Sequence, residues 1–128
     1  MANLIRGLSE NGGVVFCGVD STEIVREMER LHKTSAVTTA ALGRLMTAAS
    51  MMGAMLKGEK ESVSVTIKGG GPIGSVVTVG HADGSVKGYV DNPGVDLPRT
   101  TKKLPVGDAV GKARERKHLG IETRRIAA

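Results

Sequence analysis

Between residues 62 and 91, apolar and polar side chains alternate as a half-buried β-sheet requires. In the first run, three apolar residues alternate with serine and threonine: Val63, Val65 and Ile67. Residues 76–79 are a β-branched run and predict the next strand, residues 86–90 predict the third, and Asp83-Gly84 between them is a strong turn dipeptide. The pattern predicts a β-meander of three strands. The proline-punctuated stretch after it is predicted as loop and short extended segments.

A β-hairpin and a helix are predicted before the meander. Residues 3–19 hold two short apolar runs around residues 10–13, whose glycines suit a tight turn. Asp20 is placed to begin the helix, because its carboxylate can accept from exposed N–H groups and Glu23 completes a capping-box pattern. One apolar face follows at the spacing i, i+4, i+7: Ile24, Met28 and Leu31.

A second helix is predicted from about Ser35 to Leu56, and it is rich in small residues. These are Ala36, Ala40, Ala41, Gly43, Ala48, Ala49, Gly53 and Ala54. Small side chains let another backbone come close, so we expect a buried central helix. Its length would fit a membrane span, but Arg44 near its middle costs at least ~2.5 kcal/mol on insertion. We therefore interpret it as a helix of a soluble core.

Together these elements predict one α+β domain, with an antiparallel β-meander packed against the small-residue-rich central helix. The chain has 128 residues, of which 40% are hydrophobic, and this is enough material for a single core. Phe16 and Tyr89 are its only aromatic residues. The core is therefore predicted to be aliphatic, and the chain has few rings to stack on nucleic-acid bases.

The net charge of +5 is concentrated at the C-terminal end. Residues 112–128 hold six basic and two acidic residues, a net of +4, which leaves 12 basic and 11 acidic residues in the first 111. We interpret residues 112–128 as a basic tail that is either a short helix or disordered. A solvated end is favoured over a polyanion-binding arm.

The run Val65–Val77, VTIKGGGPIGSVV, fits the spacing G-x-G-x-x-G at Gly69, Gly71 and Gly74. This spacing holds a dinucleotide only where a helix follows and supplies N–H donors to the phosphates. Here the β-branched residues 75–79 follow instead, and Pro72 removes one donor. A structural loop between two strands is therefore favoured over a cofactor site.

No other pattern favours catalysis or metal binding. Cys17 is the only cysteine, which excludes an intrachain disulfide and a cysteine-based zinc site. A buried structural thiol is favoured, because no neighbouring basic residue would lower its pKa. The three histidines are far apart, and the aspartates of residues 83–108 lie near glycine or proline, where turns explain them. The sequence predicts no catalytic residue, metal ligand or cofactor.

Six segments from about Asn3 to Lys112 occur in a specific order. They are NLIRGLSENGGVVF, T-x-A-A-L-G-R-L-x-T-A-A (Thr38 to Ala49), GAMLKGE, IKGGGPIGSVV, G-x-V-K-G-Y-V-D-N-P and VGDAVGK. In this order and spacing the chain resembles the N-terminal core of the heat shock protein 33 family. In the family's G-x-G-P-x-G pattern, which Gly69, Gly71, Pro72 and Gly74 match, the loop joins two strands and binds no cofactor.

The resemblance implies a cytosolic, ATP-independent holdase chaperone that binds unfolding proteins under oxidative or heat stress. It implies an α+β core domain that can dimerise by exchanging elements. It also implies a C-terminal zinc domain, whose four cysteines form a redox switch in the family. Oxidation there releases the metal and exposes apolar surface.

This chain departs from the family pattern in two places. It ends before the zinc domain, so we expect no family zinc ligand in it, and Cys17 matches none. After VGDAVGK the family continues with a strand of the kind G-x-L-x-V-x-x-D-L-G, where this chain has ARERKHLGIETRRIAA. We interpret residues 1–111 as a partial chaperone core and residues 112–128 as a divergent tail, with a frameshifted reading frame as one hypothesis and disorder as another.

The sequence thus predicts a cytoplasmic protein that binds unfolded clients without a redox switch, rather than an enzyme or a membrane protein. A homodimer is a further expectation. Client contacts are predicted at Leu45, Met46, Met51, Met52, Met55 and Leu56, with core packing as the favoured alternative for the methionines. A nucleic-acid-binding module that uses the basic tail is the competing hypothesis, and a nucleotide-dependent enzyme is the third.

Overall fold

The structure, a computed structural model, describes residues 3–98 and 103–111 and the backbone of residues 120–126. Its elements are β1 (Asn3–Leu8), β2 (Val15–Asp20), α1 (Thr22–His32), α2 (Ala36–Ala54), β3 (Ser62–Lys68), β4 (Ser75–His81), β5 (Val86–Val90), α3 (Val106–Val110) and β6 (Gly120–Ile126). Within this part of the chain, β1 and β2 form a hairpin, and the other strands form an antiparallel sheet in the order β5-β4-β3-β6. The predicted α+β class and the meander β3–β4–β5 are confirmed.

The sheet buries one face and leaves the other partly open, as its alternating sequence predicts. Val63 and Val65 of β3 are buried and lie opposite Gly80 and Thr78 of β4. Their polar neighbours on β3 point to the other face and are half-buried. The apolar face therefore packs on α2, and this contact makes the core.

Helix α2 approaches the sheet at backbone distance because both sides carry glycine. A Cβ atom added at Gly53 would lie 2.4 Å from the carbonyl oxygen of His81. One added at Gly80 would lie 2.1 Å from the carbonyl oxygen of Ala49. The predicted role of the small residues, close approach of a second backbone, is confirmed. Buried Ser50 adds a hydrogen bond of 2.6 Å to the carbonyl oxygen of Gly84.

The N-terminus of α2 is capped and also fixes the proline-rich segment that follows the meander. The hydroxyl of Ser35 accepts from the backbone N–H of Thr38 at 3.3 Å and donates to the carbonyl oxygen of Val95. The hydroxyl of Thr38 donates to the same oxygen at 3.3 Å. Because Ser35 N–H also donates to Pro93 O at 2.9 Å, this loop is tied to the first turn of the helix.

The predicted start of α1 at Asp20 with a capping box is wrong. Asp20 is the last residue of β2, paired with Asn3, and the helix begins at Thr22. The Asp20 carboxylate accepts from the N–H and the hydroxyl of Thr22, at 3.1 and 2.7 Å. Ser21 occupies the N-cap position, but its hydroxyl bonds that of Thr47 on α2 at 2.6 Å. The predicted acceptance of a backbone N–H by the Asp20 carboxylate is thus confirmed, while the Ser21 hydroxyl links the start of the helix to α2.

The basic tail differs from both of its predicted forms. Residues 120–126 are neither helix nor disordered; they form β6, which pairs antiparallel with β3 from Ser62↔Ile126 to Lys68↔Gly120. The physical reason is that the side of β3 away from β4 presents N–H and C=O groups that an added strand satisfies. A clustered-charge composition carries no signal of such pairing. The remaining tail residues, 112–119 and 127–128, lie outside the described residues.

Candidate functional site

The glycine run lies in the connector between β3 and β4, and neighbouring segments occupy its backbone donors. The N–H of Gly71 donates to Val110 O at 3.0 Å, and the N–H of Ile73 donates to Ala109 O at 3.3 Å. At the end of the connector, Ser75 N–H donates to the Asp91 carboxylate at 2.9 Å. A bound phosphate would need donors of this kind, and here the protein itself uses them.

The backbone at the end of α3 packs directly against the glycines of the same connector. A Cβ atom at Gly69 would lie 2.2 Å from Val110 O, and one at Gly71 would lie 2.3 Å from Ala109 O. Gly74 has a φ of 77°, which glycine adopts without strain. The Pro72 carbonyl accepts from the side-chain amide of Asn92 at 3.0 Å. The four loop residues thus bind the meander to α3, an element that the sequence analysis did not predict.

The six predicted client-contact residues of α2 and its C-terminal end do not share one surface. Met46 is 3% exposed and belongs to the core beneath β5, whereas Met55 is 52% exposed. The others are half-buried: Leu45, Met51, Met52 and Leu56. Met52 and Leu56 pack against the cluster around Val63 and Val65. Core packing therefore accounts for Met46, and client contact by the others stays a prediction.

Further exposed apolar side chains lie on the β1–β2 hairpin, and this exposure was not predicted. Five of its large side chains are more than half exposed: Ile5, Leu8, Val14, Val15 and Phe16. The ring of Phe16 covers Gly7, where an added Cβ would lie 2.0 Å from the ring. Arg6 ties the hairpin to the end of α2 by donating to Ala54 O at 2.7 Å. The sequence could have indicated this exposure, because the two apolar runs within residues 3–19 do not alternate strictly with polar residues.

A second apolar feature is a groove of about 590 Å³ between α1 and the edge strand β5, here called the α1–β5 groove. Its apolar walls come from α1 and from the two neighbouring strands: Ile24, Met28, Leu31, Val77, Val79, Val86 and Tyr89. Leu31 is 60% exposed and Tyr89 is 51% exposed. Leu31 lines the groove together with Ile24 and Met28, so the predicted apolar face of α1 is confirmed and forms one wall of the groove.

The charged groups near these surfaces form local pairs. Glu27 accepts two hydrogen bonds from the Arg30 guanidinium, at 2.6 and 3.0 Å, which lower the pKa of Glu27 and raise that of Arg30. Hydrogen bonds from Ser85 lower the pKa of Asp83 in the β4–β5 turn. Among the described residues, no group of three histidine, cysteine or carboxylate side chains is arranged to hold a metal ion.

Helices of the described region are too short or too polar to cross a membrane. Cys17 is half-buried in β2, opposite Arg6 in the hairpin register. The exposed apolar surfaces of the hairpin and the α1–β5 groove are the strongest candidates for a binding function.

Comparison with known proteins supplies the family. The family described as Hsp33 protein matches residues 2–115. The 33 kDa chaperonin of Clostridium perfringens strain SM101 is 46% identical over 111 residues, which are 85% of this chain and 35% of that protein. The 33 kDa chaperonin of Thermoanaerobacter sp. strain X514 is 46% identical over 110 residues, or 85% of this chain and 37% of that protein. The chain therefore spans just over a third of the length of these curated relatives.

A solved structure shows the same fold. The crystal structure of the 33 kDa chaperonin, a heat shock protein 33 homologue, from Thermotoga maritima superposes with a TM-score of 0.80. It is 30% identical, and the match covers 97% of this chain and 45% of that one. The resemblance inferred from the order and spacing of the six sequence segments is confirmed. On the match of residues 2–115 and this likeness of fold, the chain belongs to the Hsp33 family of chaperones.

Proposed function

We propose that this chain binds unfolded segments of other proteins and keeps them from aggregating, without nucleotide. The observation that carries the proposal is the amount of large apolar surface left open. Among the described residues, eight large hydrophobic side chains are more than half exposed, five of them on the β1–β2 hairpin. Exposed apolar surface marks interaction sites when it is extensive, and membership of a chaperone family makes unfolded proteins the fitting partners.

The proposal is for a binding protein rather than an enzyme. In the connector between β3 and β4, the backbone N–H groups of Gly71 and Ile73 donate to α3, and that of Ser75 donates to the Asp91 carboxylate. Such a site favours a structural role over nucleotide binding. We further propose action in the cytoplasm under oxidative or heat stress, as the resemblance to the family implies. A homodimer is proposed through the open hairpin edges, which invite strand pairing.

Suppression of client aggregation tests the proposal. Light scattering by heat-unfolding citrate synthase is measured with increasing amounts of the full chain and no nucleotide. We expect scattering to fall as the chain approaches and exceeds the client concentration. An equal mass of a stable non-chaperone protein is the control for crowding, and the chain alone is the control for its own aggregation. Unchanged client scattering at a clear excess of chain would contradict the proposal.

A further inference from the structure

Strand β5 is an edge strand whose outward backbone groups can be identified. Within the described strands it pairs with β4 alone. Asp91 N–H donates to Ser75 O, and His81 N–H donates to Ser85 O. Antiparallel pairing alternates between bonded and non-bonded pairs, so the residues of β5 that do not bond β4 are Val86, Gly88 and Val90. Their N–H and C=O groups point away from the sheet.

The α1–β5 groove runs along this edge. Helix α1 supplies one wall through Ile24, Met28 and Leu31, and β5 with its neighbour β4 supplies the other. Gly88 has no side chain to cover the edge, and Met46 lies directly behind it, since a Cβ at Gly88 would lie 2.9 Å from Met46 Cγ. Met28 and Met46, each 3% exposed, lie at the base of the groove among aliphatic neighbours, and flexible methionine side chains can adjust to different apolar groups packed over them.

The charges around the groove are of both signs. The α1 side carries Glu23, Glu27 and His32, of which Glu27 is bonded to Arg30, and Lys87 on the β5 side brings a positive charge. Neither a polyanion nor a strongly basic segment gains from this mixed rim. The groove therefore offers aliphatic side chains beside the outward N–H and C=O groups of β5, which no described strand pairs. An extended, apolar polypeptide satisfies both, because its side chains pack against the aliphatic ones and its backbone pairs with the edge.

We infer that the α1–β5 groove binds an extended apolar segment of an unfolded protein as an added strand on β5. This inference rests on the proposed function and names a site for it. It differs from the predicted client contacts on α2, of which only Met46 lines the groove. Strand addition explains how one site accepts many clients, since backbone hydrogen bonds are the same for every sequence.

The first test changes the ligand and leaves the protein intact. The probe is a fluorescein-labelled peptide of roughly eight residues, the length of an ordinary strand, in which valine alternates with threonine. Its partner is the same peptide with N-methyl groups on the backbone of alternate residues, made in both registers. Fluorescence anisotropy is measured with the full chain. We expect the N-methyl peptide of one register to bind at least about tenfold more weakly, because two or more backbone hydrogen bonds are lost.

The second test changes the groove with a matched control. Leu31→Asp places a charge on the α1 wall, at a residue that is 60% exposed, and Ala36→Asp places the same charge at the exposed first residue of α2, away from the groove and the hairpin. We expect Leu31→Asp to weaken peptide binding about tenfold and Ala36→Asp to leave it within about twofold. Val86→Pro, which removes one outward N–H at the start of the edge strand, is expected to weaken binding as N-methylation does. Circular dichroism checks the fold of each variant.

The outcomes separate this site from the proposed function. If citrate synthase scattering falls equally with wild-type chain and Leu31→Asp, and the peptide does not bind, the groove inference is overturned and the holdase proposal stands. If the peptide binds with the expected dependence but scattering is unaffected, the holdase proposal fails and a peptide-binding groove remains. Equal binding of all N-methyl peptides overturns strand addition. Loss of a wild-type dimer in Leu31→Asp, with no change in peptide binding, assigns the groove to a second copy instead.

Discussion

The β1–β2 hairpin and the β3–β4–β5 meander are both antiparallel and both rich in aliphatic residues, but they lie in opposite environments. In the meander, α2 covers one face and buries residues such as Val65 and Val76. In the hairpin, none of residues 3–20 is buried. Hydrophobic composition therefore predicts strands in both regions, whereas burial depends on what packs against each. The meander supplies stability, and the hairpin supplies open surface.

The largest expected difference between the two regions comes from adding one methyl group to a glycine in each of them. Gly53→Ala places a Cβ 2.4 Å from His81 O, while Gly18→Ala places one 3.5 Å from Ile5 Cγ1, an ordinary contact. We expect Gly53→Ala to lower the free energy of unfolding by about 3 kcal/mol or more, because α2 must leave the sheet. Gly18→Ala is expected to change it by at most about 0.5 kcal/mol. Urea denaturation measures both.

Equal effects of the two alanine substitutions would contradict the division between a packed and an open region. A stable Gly53→Ala variant would mean that α2 can shift on the meander without cost. A strongly destabilised Gly18→Ala variant would mean that the hairpin is packed against something that the described residues do not include.

The methionines of α2 give the next comparison, between stability and binding. Met46→Ala removes a side chain that is 3% exposed, and Met55→Ala removes one that is 52% exposed. We expect Met46→Ala to cost about 2–3 kcal/mol of unfolding free energy and Met55→Ala less than about 1 kcal/mol. Denaturant titration and the citrate synthase assay are run on both variants. If Met55→Ala leaves client suppression unchanged, the predicted client contact at this residue is wrong.

Some parts of this structure could be predicted from the sequence and others could not, depending on whether their signal is local or tertiary. The meander and α2 could be predicted because alternation and small residues are local signals of strands and of close helix packing. The connector at Gly69–Gly74 could be assigned from the β-branched residues after it. Strand β6 could not be predicted, because pairing with β3 is a tertiary event. The α1–β5 groove was missed for a related reason: its position depends on which strand lies at the sheet edge.

A smaller effect is expected for Phe16→Ser on the hairpin. The ring is 54% exposed and rests over Gly7. Its loss should lower the unfolding free energy by no more than about 1 kcal/mol. A client that buries the ring gains about 1.5–3 kcal/mol, so the apparent affinity for unfolded citrate synthase should fall about tenfold. Unchanged affinity, with the hairpin intact by circular dichroism, would place client binding elsewhere.

The smallest expected effect compares two exposed aspartates, one in each region. Asp20 at the end of the hairpin accepts hydrogen bonds from Thr22, and Asp83 in the meander accepts them from Ser85; both pKa values are lowered from 3.8. A lowered pKa in the folded state means that the contribution to stability is complete above the unfolded value and is lost as the pH falls through the folded value. The effect of each carboxylate is therefore confined to pH values below about 4.

Because Asp83 closes the turn of the packed meander, its titration is coupled to global unfolding more closely than that of Asp20. We expect Asp83→Asn to reduce the fall in unfolding free energy on acidification, and Asp20→Asn to reduce it less. Carboxyl chemical shifts followed by NMR give the two folded pKa values, and urea denaturation at several acidic pH values gives the slopes. Titration of Asp83 at or above 3.8, or a wild-type slope in Asp83→Asn, would show that its bonds to Ser85 do not stabilise the turn. A larger effect from Asp20→Asn would reverse the comparison and make the hairpin junction the more strongly coupled region.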